Sequence, residues 1–225
     1  MLVELLAALA VGYLVGSVPT AAWIARARGK DVFSLGSGNM GAMNTARNLT
    51  LGLGVLVLAL DVAKGALATY LGLFIAAASA ANTPGVEAPA LAAPLVAGFG
   101  AVLGHAFSMF VGFRGGKALA TTLGVSLPLY PQVGLAALIL IVALYLIVRR
   151  AGLAAIITML AYPFLALLTL DRSGWPREDS FAVVTGVLPI VAIVLLKHLV
   201  AWRNAPKAKA SEVTASEAGS PQRRQ

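Results

Sequence analysis

The chain has no cysteine among its 225 residues and only two histidines. The first absence excludes disulfide bonds, thiolate metal sites and a cysteine nucleophile, and the second leaves little scope for a zinc centre. Charged residues are also scarce, at 12%, whereas 59% of the residues are hydrophobic and the mean hydropathy is +0.87. A soluble domain of this size has more polar surface than that, so the composition predicts a protein built for the lipid bilayer.

Long apolar runs, separated by polar or proline- and glycine-containing segments, predict an all-α, polytopic membrane protein. A helix needs roughly 20 apolar residues to cross the hydrocarbon core, and backbone that faces lipid must satisfy its own hydrogen bonds. The fourth run is short for a complete crossing, so six spans remain an alternative to seven. The predicted spans lie near residues 1–25, 51–80, 88–110, 117–131, 132–148, 152–170 and 180–202.

These spans form one predicted membrane domain over residues 1–202. The remaining segment, 203–225, alternates lysine with alanine and ends in polar residues. Such a composition cannot bury a core, so we predict a disordered cytoplasmic tail whose cations rest on anionic lipid headgroups.

The distribution of basic residues predicts the orientation of the spans. Of the 17 lysines and arginines, four lie in 26–50, two in 113–117, two at 149–150 and six after residue 196. If seven spans alternate, all of these face one side, which the positive-inside rule identifies as the cytoplasm. We therefore predict a retained first helix with the N-terminus outside and the C-terminus inside. The net charge is +8, but no aromatic residues alternate with the basic ones as they do on a surface that stacks bases. No nucleic-acid partner is therefore expected.

The first polar segment follows the first span. Its glycines permit tight turns that present backbone N–H groups to an anion, its short polar side chains add hydrogen-bonding groups, and its arginine suits phosphate oxygens. An ordinary glycine-rich connector between helices remains the alternative. The candidate residues are Gly36, Ser37, Gly38, Asn39, Gly41, Asn44 and Arg47.

The second polar segment is a turn of sequence Arg-Gly-Gly-Lys that opens into an apolar helix. Such a turn combines free N–H groups, the positive end of a helix dipole and a lysine, and it therefore predicts an anion site. It is not a Walker A loop, because Ala118 stands where a magnesium-binding hydroxyl is needed. The basic residues can equally mark the cytoplasmic end of a helix. The candidates are His105, Arg114, Gly115, Gly116 and Lys117.

Two further sites carry charged or titratable residues within predicted spans. Lys197 and His198 end the last span, where the histidine can bind substrate or the pair can simply complement the helix dipole. Asp61 and Lys64 lie three residues apart on one face of the second span. A structural ion pair and a role beneath the site are equally good interpretations of that pair.

The predicted topology places all three polar segments on the same side of the membrane. Their cations and glycine-rich turns can then converge on one basic cleft that is open to the cytoplasm and flanked by lipid. A cleft of that kind suits a phosphorylated soluble substrate together with a partner that carries an acyl chain.

At these residues the chain resembles the bacterial acyl-phosphate:glycerol-3-phosphate acyltransferases, the PlsY family. The resemblance spans about 1–202, and the order of its motifs is more specific than any one of them. The stretches that carry it are Gly36-Ser37-Gly38-Asn39-x-Gly41-Ala42-x-Asn44 with Arg47, Asp61-x-x-Lys64-Gly65, Gly104-His105-x-Phe107, Phe113-Arg114-Gly115-Gly116-Lys117 and Ala120-Thr121.

The resemblance implies transfer of an acyl group from acyl phosphate to the 1-hydroxyl of glycerol 3-phosphate, which gives lysophosphatidic acid and phosphate. It implies no cofactor, a site at the cytoplasmic face of the bacterial inner membrane, and an essential serine and arginine at Ser37 and Arg47. The phosphate-loop lysine is then Lys117 and the third-motif histidine is His198. No protein base is obvious, so the phosphate of the substrate is a candidate proton acceptor. A monomer is compatible with these expectations.

The chain departs from the family pattern at several positions. Ala118 stands where the family usually has glycine, Ser108 where it has proline, and Met43 where it has threonine. Ala201 occupies the place of the asparagine that follows the motif histidine, and Asn204 is too far along to replace it. An inactive or altered relative is therefore one alternative, and an organic-phosphate transporter is another. Acyltransferases of the His-x4-Asp type are excluded, because no aspartate follows either histidine at that spacing.

Overall fold

A computed structural model describes residues 1–82 and 90–203, which form nine α-helices and two short 3-10 turns. Within these ranges the only bridge-type pairing is an isolated one between Ser108 and Arg114. Most of the predicted tail, the position of Asn204 and residues 83–89 lie outside the described residues. The helices are α1 (Leu2–Ser17), α2 (Thr20–Arg26), α3 (Ala42–Asn48), α4 (Leu51–Asn82), α5 (Ala92–Ala106), α6 (Leu119–Ser126), α7 (Pro131–Val148), α8 (Ala151–Arg172) and α9 (Arg177–Arg203).

The predicted all-α membrane architecture is confirmed, although three spans differ from the sequence prediction. In its described part, the span predicted at 88–110 contains only the 15 residues of α-helix α5, which is too short to count among the long segments. Within the described ranges, five segments are long and apolar enough to cross a bilayer, and α1 with α2 counts as one of them. The first predicted helix is interrupted at Val18 and Pro19, between α1 and α2, because proline lacks an N–H and restricts the residue before it. The predicted span 117–131 contains only the eight residues of α6, about 12 Å of helix, and ends before Pro128.

Small residues allow α1 and α5 to approach each other closely. A Cβ added at Gly12 would lie 2.1 Å from the carbonyl oxygen of Ala97, and one at Gly16 would lie 2.1 Å from that of Ala101. The increasing numbers on both helices show that they run in the same direction. Close backbone approach of this kind replaces the hydrophobic driving force that is absent in lipid. The packing of α1 against α5 fixes the position of the end of α5, where the second polar segment begins.

Contacts between distant residues define the two ends of the helix bundle. At one end, the Nζ of Lys197 in α9 donates a hydrogen bond to the carbonyl oxygen of Ala106 at the end of α5, at 2.9 Å. At the other end, Ser79 Oγ near the end of α4 donates to Glu4 Oε2 at 3.0 Å. We call the first end, formed by residues 26–50, 107–118, 149–150 and 197–203, the basic end.

Candidate phosphate-binding site

Asn44 organises the first polar segment from within. Its side-chain oxygen accepts hydrogen bonds from the backbone N–H and the hydroxyl of Ser37, at 3.1 and 3.2 Å. Its side-chain nitrogen donates to the carbonyl oxygens of Leu35, at 3.0 Å, and Val32, at 3.4 Å. Asn44 is buried, whereas Ser37 is exposed. The amide group is therefore occupied within the loop, and it orients the hydroxyl of Ser37 toward itself.

Two glycines of this loop occupy the left-handed backbone region. Gly36 has φ +49° and Gly38 has φ +64°. A Cβ at Gly36 would also lie 2.4 Å from Asn48 Nδ2 and 2.7 Å from Asn44 Oδ1. Glycine is therefore required here by conformation and by space. Asn39 and Gly41 follow, and Gly41 directly precedes α3, which carries the exposed Arg47 in its last turn.

The second polar segment folds into a tight turn that is held by its own backbone. Ser108 N–H donates to Arg114 O, and Phe113 N–H donates to Ser108 O, at 3.1 and 2.8 Å. Gly116 N–H then donates to the carbonyl oxygen of His105 at 3.1 Å. The helix α6 begins two residues after Lys117, so the unpaired N–H groups of its first turn lie beside the lysine.

Lys117 is the cation at this turn. Its side chain makes no ion pair or hydrogen bond with any residue of the described ranges, and it is half-buried. Partial burial lowers the pKa of Lys117 from its usual 10.5, because desolvation disfavours the charged form. A bound phosphate would stabilise the charged ammonium again, so the turn is well suited to an anion.

Direct contacts join the first two polar segments. The guanidinium carbon of Arg114 lies 3.6 Å from the centre of the Phe33 ring, a stacking contact typical of arginine on an aromatic face. The carbonyl oxygen of Met40 lies so close to Gly116 that a Cβ there would approach it to 2.5 Å. The loop that carries Ser37 and the turn that carries Lys117 therefore pack against each other.

The third polar segment also reaches the turn. Besides its hydrogen bond to Ala106, the ammonium of Lys197 lies 4.9 Å from the centre of the Phe107 ring, so this lysine binds the second segment rather than an open site. His198 Nδ1 lies 2.8 Å from the carbonyl oxygen of Val194. Because a carbonyl can only accept, Nδ1 carries the proton of that bond, and Nε2 of the neutral ring is left as an acceptor.

The structure separates the candidate residues into two groups. Most of them are exposed or half-buried at the basic end, whereas four are buried: Asn44, His105, Gly116 and His198. Sequence analysis missed Thr20, Phe33 and Met40, which support the site through one hydroxyl, one ring and one backbone carbonyl. No pattern in the sequence indicates these contacts, because each depends on the folded path of the chain.

Asp61 and Lys64 form a buried ion pair beneath the turn. The Nζ of Lys64 lies 2.9 Å from Asp61 Oδ1, and the same oxygen accepts a hydrogen bond from Thr20 Oγ1 at 2.7 Å. Lys64 also donates to Val18 O at 3.1 Å, a carbonyl just beyond the end of α1 that accepts the N–H of Thr20 as well. His105 Nδ1 lies 3.6 Å from Asp61 Oδ1. The pair is therefore built into the bundle and faces the second segment.

An apolar groove of about 180 Å³ lies between α4, α6, α7 and α8. Leu119, two residues after Lys117, is one of its lining residues. A second cleft, of about 450 Å³, is lined by Arg26, Lys30 and Arg114, but none of Ser37, Arg47, Lys117 and His198 lines it. Residues that line the groove include Leu58, Leu119, Leu123, Ala137, Met159 and Tyr162.

Ala118, between the turn and α6, has a left-handed backbone with φ +60°. An L-residue in this region costs about 1–2 kcal/mol, which glycine does not incur. We expect Ala118→Gly to raise the apparent unfolding temperature by about 2–4 °C, the shift that about 1 kcal/mol gives in a chain of this size. Fluorescence-monitored unfolding in detergent measures it. Ala143→Gly, in the middle of α7, should shift the temperature downward, and equal shifts for both variants would contradict the strain at Ala118.

The sequence of the chain is similar to those of known proteins over most of its length. A family model described as glycerol-3-phosphate acyltransferase matches residues 6–209. Glycerol-3-phosphate acyltransferase 1 of Deinococcus radiodurans is 37% identical over 198 residues, which cover 88% of this chain and 90% of the relative. The glycerol-3-phosphate acyltransferase of Geobacter sulfurreducens is 36% identical over 189 residues, which cover 84% and 87%.

Two crystal structures of PlsY, an integral membrane glycerol 3-phosphate acyltransferase, have a similar fold. The glycerol 3-phosphate form has a TM-score of 0.69 at 31% identity and covers 88% of this chain and 90% of its own. The lysophosphatidic acid form has a TM-score of 0.66 at 32% identity, with coverage of 86% and 87%. The likeness therefore includes both sequence and fold over most of the helical bundle.

Proposed function

The chain belongs to the glycerol-3-phosphate acyltransferase family, and on that premise we propose that it transfers a fatty acyl group from acyl phosphate to the 1-hydroxyl of glycerol 3-phosphate. The hydroxyl oxygen attacks the acyl carbon and forms an ester, and the bond from that carbon to the phosphate oxygen breaks. The products are lysophosphatidic acid and inorganic phosphate. The hydroxyl proton ends on a phosphate oxygen, so the reaction balances without a cofactor.

Electrostatic positioning supplies the catalysis in this proposal. The Gly115 N–H and Lys117, with the first N–H groups of α6, hold one phosphate, while Ser37 and Arg47 hold the other reactant opposite it. Gly116, whose own N–H is bonded to His105 O, shapes the turn. Asn44 supports Ser37, and His198 offers an acceptor at the same end of the bundle. The observation that carries the proposal is the packing of the loop on the turn, through Arg114 on Phe33 and Met40 against Gly116.

The proposed orientation places the basic end in the cytoplasm. The chain then crosses the bacterial inner membrane seven times, and its N-terminus lies outside. The fourth crossing consists of α6 together with the residues up to Pro131, because the eight-residue helix alone spans only about 12 Å. Support comes from the basic residues at 26–50, 114–117, 149–150 and 197–203, which the helical hairpins bring to one end. Glycerol 3-phosphate is then available to the site from the cytoplasm and the acyl donor from the lipid. A single copy of the chain suffices.

Because no side chain is assigned as a base, the pH dependence of the rate should belong to the substrate. We expect Ser37→Ala and His198→Ala to lower the rate while the shape of the pH–rate profile stays as in the wild type. Initial rates from pH 5 to 9, with acyl phosphate in excess, measure the profile. Disappearance of one limb in the His198→Ala profile would instead identify that imidazole as the proton acceptor.

The apolar groove beside Lys117 is proposed to hold the acyl chain. Ala137, 7% exposed, lines it, so Ala137→Phe should fill part of its length. Excluding two methylenes, at about 0.8 kcal/mol each, lowers the rate with long chains roughly tenfold relative to short ones. Competition between acyl phosphates of 10 to 18 carbons gives this ratio. Ala143→Phe, exposed on the same helix, is the matched control, and identical chain-length profiles for both variants would contradict the groove assignment.

The proposed reaction is tested with the purified protein in detergent. Palmitoyl phosphate and labelled glycerol 3-phosphate should give labelled lysophosphatidic acid and one equivalent of phosphate, while palmitoyl-CoA and palmitoyl-acyl carrier protein should give none. Product with acyl-CoA alone would refute the donor. Uptake of glycerol 3-phosphate into proteoliposomes without any product would refute the enzyme and favour a transporter.

A further inference from the structure

The buried ion pair of α4 is expensive in the place where it lies. Asp61 is 1% exposed and Lys64 5% exposed, well inside a helix of 32 residues. Charges buried there cost several kcal/mol each, and apolar residues of similar size would stabilise a span as well or better. Stability of the bundle therefore does not by itself explain why a carboxylate is held here.

One residue, His105, lies between the carboxylate of Asp61 and the turn. His105 lies in the last turn of α5 and is 3% exposed. Its Nδ1 faces Asp61 Oδ1 at 3.6 Å, and its Nε2 would lie only 2.2 Å from a Cβ placed on Gly116. The imidazole ring therefore fills the space between the ion pair and the turn.

The backbone of His105 contacts the same turn. Its carbonyl oxygen accepts the N–H of Gly116 at 3.1 Å and would lie 2.2 Å from a Cβ on Gly115. The position of one residue thus sets the path of two successive glycines. A shift of the ring alters the direction of the Gly115 N–H and of the Lys117 side chain that follows.

We propose that Asp61 is a positioning residue that holds His105 against Gly115 and Gly116, with Lys64 and Thr20 fixing the carboxylate from the other side. A carboxylate facing Nδ1 favours the tautomer with its proton there, which also fixes the orientation of the ring. This inference rests on the proposed function only in taking the turn as a phosphate site. Neither Asp61 nor His105 touches substrate, and their effect passes through the turn.

The test uses the full chain in detergent and measures the binding of inorganic phosphate by calorimetry, besides acyl transfer. Asp61→Asn/Lys64→Met removes both charges together and so leaves no unpaired buried ion. We expect its phosphate affinity to fall about tenfold, as for the loss of one well-placed hydrogen bond, with an apparent unfolding temperature close to that of the wild type. Glu4→Gln, a carboxylate at the opposite end of the bundle, should leave phosphate affinity unchanged.

A double-mutant cycle separates positioning from plain structural support. If Asp61 acts through the imidazole ring of His105, adding Asp61→Asn/Lys64→Met to His105→Gln should lower phosphate affinity little further. The effects of the two changes then do not add. Additive effects, or unchanged phosphate affinity in Asp61→Asn/Lys64→Met, would overturn the inference. Should Asp61→Asn/Lys64→Met fail to fold, Thr20→Val, which removes a single hydrogen bond to Asp61, gives the same readout with a smaller change.

The two proposals fail in different ways. Phosphate binding that weakens as expected, in a protein without acyl transfer, would refute the reaction and keep the positioning role. Normal acyl transfer, together with a phosphate affinity that does not change when Asp61 is replaced, would refute the positioning role and keep the reaction. A wild-type protein that binds no phosphate would overturn the positioning role, because the turn would then have no anion to hold.

Discussion

Arg47→Ala is expected to lower kcat/KM for acyl transfer by about 100-fold or more, the usual effect of removing a preorganised group that stabilises developing charge. Arg47 is exposed in the last turn of α3, and its guanidinium has no ion-pair partner among the described residues. Its charge is therefore free for a phosphate or for the oxyanion that forms at the acyl carbon. Initial rates at varied glycerol 3-phosphate measure the loss.

Arg28 provides the control for charge alone. It is exposed in the same polar segment but lies before the glycine-rich loop, so Arg28→Ala should leave kcat/KM within about twofold, as usual for surface substitutions. Arg47→Lys should restore only part of the activity, because a lysine lacks the planar fork. Equal losses for Arg28→Ala and Arg47→Ala would mean that Arg47 contributes only to the general positive field.

Gly116→Ala is expected to reduce activity by about 100-fold or more, since a displacement of reacting groups by about 1 Å can cost that much. The added Cβ would lie 2.2 Å from His105 Nε2 and 2.5 Å from Met40 O. One of these neighbours is a buried ring and the other is backbone, so neither can yield cheaply. The turn must move instead, and its N–H groups and Lys117 lose their alignment.

The matched control for this substitution is Gly152→Ala. Gly152 lies in the first turn of α8 at the same end of the bundle, and nothing lies within 4 Å of a Cβ placed there. Activity and unfolding temperature should therefore stay near the wild-type values. Full activity in Gly116→Ala would show that the turn is wide enough to accept a methyl group, and its tight contact with His105 would then have no catalytic meaning.

Sequence analysis predicts the helices well where apolar runs are long, and less well where proline and glycine break them. The long runs of α4, α8 and α9 need no tertiary information, because lipid leaves the backbone no alternative to a helix. The break at Pro19 was missed because a single proline inside an apolar run is compatible with a kink or with an end. Its consequence, a Val18 carbonyl outside the hydrogen bonds of α1 that accepts from Lys64, cannot be predicted from a pattern.

The candidate site shows the same division between residue type and placement. Glycines, serine and basic residues identify an anion site by their chemistry, and Gly36 and Gly38 adopt the backbone that only glycine takes easily. The sequence does not distinguish residues that face the cleft from those that support it. Asn44 and His105 have suitable chemistry for a substrate contact, yet both are buried in contacts that hold other residues. How far such a side chain is buried depends on the whole fold and cannot be predicted from the sequence pattern.

Sidedness of the three polar segments is the central claim, and labelling of single cysteines tests it most directly. The chain has no cysteine of its own, so each substitution at Ser34, Arg114, Arg203 or Ser173 introduces a unique thiol. A membrane-impermeant maleimide should label the first three in inverted vesicles but not in spheroplasts, and Ser173→Cys in spheroplasts but not in inverted vesicles. Labelling of positions 34 and 114 from opposite faces of the membrane would contradict a shared site.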